Sequence, residues 1–120
     1  MKKVLIVDDE EAILKMYSVV LQDEFEVITA HNGNEGFETA KREKPDLIYL
    51  DIIMPQLNGL DVLGKLKDDK ETTTIPVVLL TNLPKEASAD KAKALGAADY
   101  FVKVETEPSK IAEITKQILG

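Results

Sequence analysis

The chain has 120 residues, no cysteine and one histidine, and its 22 Asp and Glu outnumber 15 Lys and Arg, for a formal net charge of -7. That length fits one domain around one core, and a 44% hydrophobic fraction excludes wholesale disorder. Without cysteine there is no disulfide framework or thiolate metal site, the lone His31 excludes a polyhistidine site, and the acidic balance argues against broad binding to nucleic-acid phosphates.

Met1-Lys2-Lys3 leads straight into the aliphatic run Val4–Val7, which is too short for a signal-peptide core. No run is long enough to span a bilayer, so a soluble, cytoplasmic protein is expected. Val4–Val7 is continuous and rich in β-branched residues, which predicts a strand buried on both faces. Ile13, Met16, Tyr17, Val20 and Leu21 then follow at helical spacing on one predicted inner face. Phe25–Ala30 is the second strand. His31-Asn32-Gly33-Asn34 is turn chemistry, and Phe37 and Ala40 mark the inner face of the second helix, which Pro45 stops. Leu47–Leu50 is the third strand, ending at Asp51. Asn58 can cap a third helix bearing Val62, Leu63 and Leu66. The charge run Lys67-Asp68-Asp69-Lys70-Glu71 reads as a solvated helix end. Pro76 opens the strand Val77–Leu80, Pro84 suits the first turn of a fourth helix, and Gly96 ends that helix. Tyr100–Val102 is the fifth strand. Pro108 starts a last helix carrying Ile111, Ile114, Ile118 and Leu119.

Five βα units with short connections predict an α/β fold: a doubly wound, five-stranded parallel sheet with helices on both faces. The usual order for such a sheet is 2-1-3-4-5, with ligands bound beyond the strand C-termini. Residues 1–120 form a single domain in this reading, without linker or low-complexity tract.

The strand ends carry the informative residues. The first strand runs into Asp8-Asp9, the third into Asp51, the fourth into Thr81 and the fifth into Lys103. In the expected sheet these side chains converge on one edge. Two like charges about 4 Å apart repel by about 4 kcal/mol at an effective dielectric of 20. Lys103 supplies one compensating charge for three carboxylates. A divalent ion is the natural complement, and oxygen ligands without imidazole or thiolate favour Mg2+ or Mn2+. The Thr81 hydroxyl and the Lys103 ammonium suit the oxygens of a phosphoryl group, and Asp51 can act as a nucleophile toward phosphorus. Each residue also has an ordinary reading: Asp8 or Asp9 as a helix cap, Asp51 as a loop carboxylate, Thr81 as a strand end, Lys103 as a surface lysine. Their joint placement favours a shared site.

Val7-Asp8-Asp9, Asp51-Ile52-Ile53-Met54-Pro55 with Asn58-Gly59, Leu80-Thr81, and Tyr100-Phe101-Val102-Lys103 occur in order and in register. In these motifs the chain resembles, over essentially its whole length, the receiver domain of two-component response regulators, the CheY-like superfamily with a flavodoxin-like (βα)5 fold. The resemblance implies that Asp51 is the phosphoacceptor and that a phosphohistidine of a sensor histidine kinase or phosphotransfer protein is the donor. It implies that Asp9 and Asp51 bind Mg2+ directly, Asp8 chiefly through water, and Ile53 through its backbone carbonyl. It also implies that Thr81 and Lys103 contact the phosphoryl group, and that Thr81 and Tyr100 switch a face made by the fourth helix, fifth strand and fifth helix for a downstream protein. On phosphorylation Tyr100 is expected to turn inward from an exposed rotamer. The protein is expected to be a monomer or a phosphorylation-dependent dimer, with no direct nucleic-acid partner, no membrane insertion, and no enzymatic activity beyond its own phosphorylation and dephosphorylation.

Two positions depart from the family pattern. Val104 stands where proline in a cis peptide is common, and a cis non-proline bond costs about 2.5–4 kcal/mol. The Lys103–Val104 peptide is therefore either trans in a reshaped loop or strained. Asn82 stands where a small residue is usual, and its amide can narrow the phosphate pocket or add a hydrogen bond. Ile53 and Leu83, both apolar, are expected to border the route of an attacking water and to slow dephosphorylation. Three other readings compete. A flavodoxin-like cofactor binder would need a glycine- and hydroxyl-rich phosphate loop, but Asp8-Asp9-Glu10-Glu11 would repel a phosphate. A P-loop nucleotide enzyme would need a Gly-x-x-x-x-Gly-Lys motif, which is absent. A receiver that binds partners without accepting phosphate is left open by Val104 and Asn82.

Overall fold

The computed structural model describes residues 1–120. Strands and helices alternate along the chain as β1 (Lys3–Val7), α1 (Glu11–Leu21), β2 (Glu26–Ala30), α2 (Gly33–Glu43), β3 (Leu47–Leu50), α3 (Gly59–Asp68), β4 (Val77–Thr81), α4 (Lys85–Ala94), β5 (Asp99–Val102) and α5 (Pro108–Leu119). All strand pairs are parallel, in the order β2-β1-β3-β4-β5. This is the doubly wound sheet expected from the alternation. No helix is long and apolar enough to cross a membrane.

Period-two alternation along each strand splits the apolar side chains between two layers. Leu5, Val7, Ile48, Leu50, Val77 and Leu79 pack with Ala40 of α2, Val62, Leu63 and Leu66 of α3, and Ala92 of α4. Val4, Ile6, Leu47, Tyr49, Val78 and Leu80 pack with Leu14, Tyr17 and Leu21 of α1 and Ile111 and Ile114 of α5. The second layer holds a buried polar pair. The Tyr49 hydroxyl lies 2.6 Å from Thr115 Oγ1, which donates to the Ile111 carbonyl, so both buried hydroxyls are satisfied.

Several expected details shift by a residue or two. Met16 was expected on the inner face of α1 but is 37% exposed, whereas Leu14 is buried. The contact stripe lies a fraction of a turn from the one suggested by the apolar residues alone. Ile118 likewise sits at the edge of α5 and is exposed. The turn expected at 31–34 is shorter, because Asn32 Oδ1 accepts the Glu35 N–H and starts α2 at Gly33. Pro84 precedes the first helical residue of α4 rather than lying inside it. Gly96, at φ 102, follows the end of α4 as a residue without Cβ readily does.

The parallel arrangement brings every strand's C-terminal end to one edge. The β3 end is braced there by α3. Asn58 Oδ1 accepts the N–H groups of Leu60 and Asp61. Gly59 N–H donates to the Ile52 carbonyl at 2.8 Å. A Cβ at Gly59 would lie 2.0 Å from the Asp51 carbonyl oxygen. Only glycine permits the helix to start so close to Asp51.

Candidate functional site: an acidic pocket at the sheet edge

Asp8 leaves β1 on the buried side, while Asp9 faces solvent. Asp8 Oδ1 accepts the Glu10 N–H at 2.9 Å, which fixes the turn into α1. Asp8 thus serves the start of that helix as well as the site. Asp51 is 4% exposed, and its Oδ1 accepts the Ile53 N–H at 3.3 Å. Lys103 begins a short 3-10 turn after β5 (Lys103–Glu105). Its Nζ reaches back across the edge, 2.5 Å from Asp8 Oδ2 and 3.0 Å from Asp51 Oδ2.

One ligand oxygen from each of Asp8, Asp9 and Asp51 lies within 4.8 Å of the others. A pocket of about 300 Å³ opens over them, lined by Asp9, Glu10, Asp51, Ile53, Asn82 and Lys103. Burial pushes Asp8 above the ordinary carboxylate range, against the hydrogen bonds from Lys103 and Glu10; the charge of Asp51 adds a smaller push in the same direction. Desolvation, more than repulsion between the acids, sets that direction. Burial also opposes charge on Lys103, yet Asp8 and Asp51 together outweigh it and hold the ammonium above the usual lysine range.

The donor set fits a hard divalent cation. Three carboxylates lie together beside one lysine that pairs with two of them, one of the acids is open to solvent, and no imidazole or thiolate competes.

Thr81 and Tyr100 stand apart from this cluster. Thr81 is fully buried at the end of β4 and does not line the pocket. Its Oγ1 accepts the Leu83 N–H at 3.3 Å, which leaves the hydroxyl proton for another acceptor. Tyr100 does not hold the exposed rotamer expected from the sequence. It is 6% exposed, and its hydroxyl lies 2.7 Å from both the Leu83 carbonyl and Ser88 Oγ. The inward position gives a buried hydroxyl two partners, which offsets its loss of water. Ile53, 56% exposed, borders the pocket as expected. Leu83 does not: its side chain packs against the core layer under α4.

No peptide bond is cis, so the Lys103–Val104 bond takes the trans alternative. The Val104 N–H donates to Asn82 Oδ1 at 3.0 Å. The sequence reading treated Asn82 and Val104 as separate departures; the structure joins them. A proline at 104 would have no N–H to offer, and that complementarity was the only signal available in the sequence.

With this geometry established, the relatives are informative. The family description "Response regulator receiver domain" matches residues 4–117. The chain belongs to that family. Protein PilH of Pseudomonas aeruginosa is 35% identical over 121 residues, spanning 100% of both chains. The polar-differentiation response regulator DivK of Brucella anthropi is 33% identical over 99% of this chain and 97% of its own. The crystal structure of the chemotaxis protein CheY4 of Vibrio cholerae superposes with a TM-score of 0.91 at 31% identity, covering 99% of each chain. A phosphoacceptor role is general to receiver domains, which work with histidine kinases and downstream targets. The acidic cluster of Asp8, Asp9 and Asp51 fits the receiver-domain metal site.

Proposed function

We propose that residues 1–120 form one cytoplasmic receiver domain that takes a phosphoryl group onto Asp51 from a phosphohistidine of a sensor histidine kinase or phosphotransfer protein. The supporting observation is the buried Asp51 carboxylate, braced by Lys103 and Ile53 and opening into a pocket with Asp9.

The reaction is an in-line displacement. An Asp51 oxygen forms a P–O bond as the donor's P–N bond breaks, and the imidazole leaves with the electron pair. Asp9 and Asp51, Asp8 through water, and the Ile53 carbonyl would hold Mg2+ or Mn2+. When bound, the ion neutralises charge between the carboxylates and the phosphoryl oxygens. Lys103 offers the remaining N–H of its ammonium, and Thr81 its uncommitted hydroxyl proton, to those oxygens. The product is an acyl phosphate that water later hydrolyses. The chain acts on itself and on no separate metabolite.

The output follows from one shared residue. Leu83 gives its N–H to Thr81 and receives the Tyr100 hydroxyl proton on its carbonyl. A phosphoryl oxygen that draws Thr81 toward Asp51 pulls on Leu83 and, through it, on Tyr100. The face made by α4, β5 and α5 then changes the population that binds a downstream protein. The partners in this reading are proteins, not nucleic acid or membrane, and the domain is a monomer or a phosphorylation-dependent dimer.

Incubation with a small phosphodonor and Mg2+, followed by intact-mass measurement, tests the reading. The expected result is a gain of one phosphoryl group, absent in Asp51→Asn. A wild-type chain that never gains mass would leave a binding module without acceptor chemistry.

A further inference from the structure

Asn82 is committed at one end and free at the other. Its Oδ1 takes the Val104 N–H, which fixes the orientation of the amide, because a backbone N–H can only pair with the oxygen. The Nδ2 branch makes no hydrogen bond within the chain. The residue is exposed and lines the same pocket as Asp51 and Lys103. A small residue at 82 would leave this part of the wall without a side-chain donor. A proline at 104 would leave Oδ1 without a partner, and the amide could then rotate.

The geometry points to Asn82 as a phosphate-binding residue: tethered to Val104 through Oδ1, it holds Nδ2 in the pocket as a hydrogen-bond donor to a phosphoryl oxygen on Asp51. The tether does a second thing. It ties the loop after β4 to the turn that begins at Lys103, so the ammonium and the amide are presented to one ligand by one braced unit. A neutral amide adds a donor without adding charge. That suits a pocket whose lysine is already shared between two carboxylates.

This inference rests on Asp51 accepting a phosphoryl group, and its test separates the two claims. The probe is beryllofluoride with Mg2+, a phosphoryl mimic, added to the 15N-labelled chain. The Asn82 side-chain NH2 signals are assigned by their loss in Asn82→Ala. They should move on addition of the probe, together with the Ile53 backbone amide. The Asn82 movement should vanish in Val104→Pro and persist in Val104→Ala, which keeps the N–H. Val104 is 80% exposed, so neither change disturbs the core. With a small phosphodonor, Asn82→Ala should slow phosphorylation by about tenfold, the effect of losing one hydrogen bond to a charged group. An Ile53 amide that moves while the Asn82 amide stays fixed would overturn the role of Asn82 and leave the acceptor intact. An amide shift that survives Val104→Pro would overturn the tether. Absence of any response, with no mass gain from the phosphodonor, would defeat the acceptor reading itself.

Discussion

The hydroxyl of Tyr100 donates to the carbonyl oxygen of Leu83 at 2.7 Å, and the N–H of the same Leu83 rests on Thr81 Oγ1. One residue therefore joins a buried hydroxyl at the sheet edge to a buried aromatic under α4. Ser88 completes the arrangement by donating to the Tyr100 oxygen.

Removing that hydroxyl should be costly. Tyr100→Phe leaves the Leu83 carbonyl and Ser88 Oγ short of a partner in a buried place. A loss of about 1–3 kcal/mol is expected in urea unfolding. Ser88→Ala should cost less, since the tyrosine proton keeps its acceptor. A Tyr100→Phe chain as stable as the parent would mean that the inward ring is held by packing alone.

Divalent cation should stabilise the fold. An ion that binds only the native cluster adds about 2.7 kcal/mol at 100 times its Kd. Thermal melts with and without Mg2+ measure this directly, and coincident midpoints would count against the site. Lys103→Met makes the dependence larger. It leaves Asp8 and Asp51 buried without their shared cation, a loss of up to about 3–5 kcal/mol in metal-free buffer. Added Mg2+ should recover much of it.

The pH dependence has two limbs with fixed signs. Burial raises Asp8 above its unfolded value, so the folded chain binds its proton more readily. Metal-free stability from this group is greatest at low pH and declines as pH rises through the raised value. On the alkaline side, burial pushes Tyr49 up to about 12 from 10.0, against a smaller opposing effect of its bond to Thr115. The neutral form is favoured in the fold, so about 2–3 kcal/mol of stability is lost as pH rises from 10 to 12. Burial raises Tyr17 as well, so ultraviolet titration should show more than one tyrosine ionising late, and the latest of them should disappear in Tyr49→Phe.

In the proposed reaction Ile53, which lines the pocket and is 56% exposed, would hinder attack of water on the acyl phosphate. Ile53→Asn should shorten its lifetime, measured by loss of the mass shift with time. Leu83 was expected to border the same route, but it packs against the core layer, so Leu83→Glu acts elsewhere. That change should lower stability instead, because it places a carboxylate among apolar neighbours.

Much of this was legible in the sequence, and the missing parts share a cause. Short, mostly apolar runs, separated by amphipathic stretches, dictate a parallel sheet with covered faces. Asp8, Asp51, Thr81 and Lys103 then fall at equivalent strand ends. Strand order also follows, because right-handed crossovers leave few alternatives. What could not be read depends on side chains meeting across loops. Asn82 and Val104 lie 22 residues apart and meet only because β4 and β5 are neighbours. The inward Tyr100 depends on Ser88, a residue with no distinguishing pattern in α4. The burial of Leu14 in place of Met16 depends on how α1 rotates against α5, which periodicity defines only to within a fraction of a turn.

The central claim is that Asp51 carries the phosphoryl group. Borohydride reduction of the phosphorylated chain, followed by peptide mass mapping, locates an acyl phosphate at a single side chain. Reduction confined to residue 51 is the expected result. Reduction at Asp8 or Asp9, or none in a chain that has gained phosphoryl mass, would contradict it.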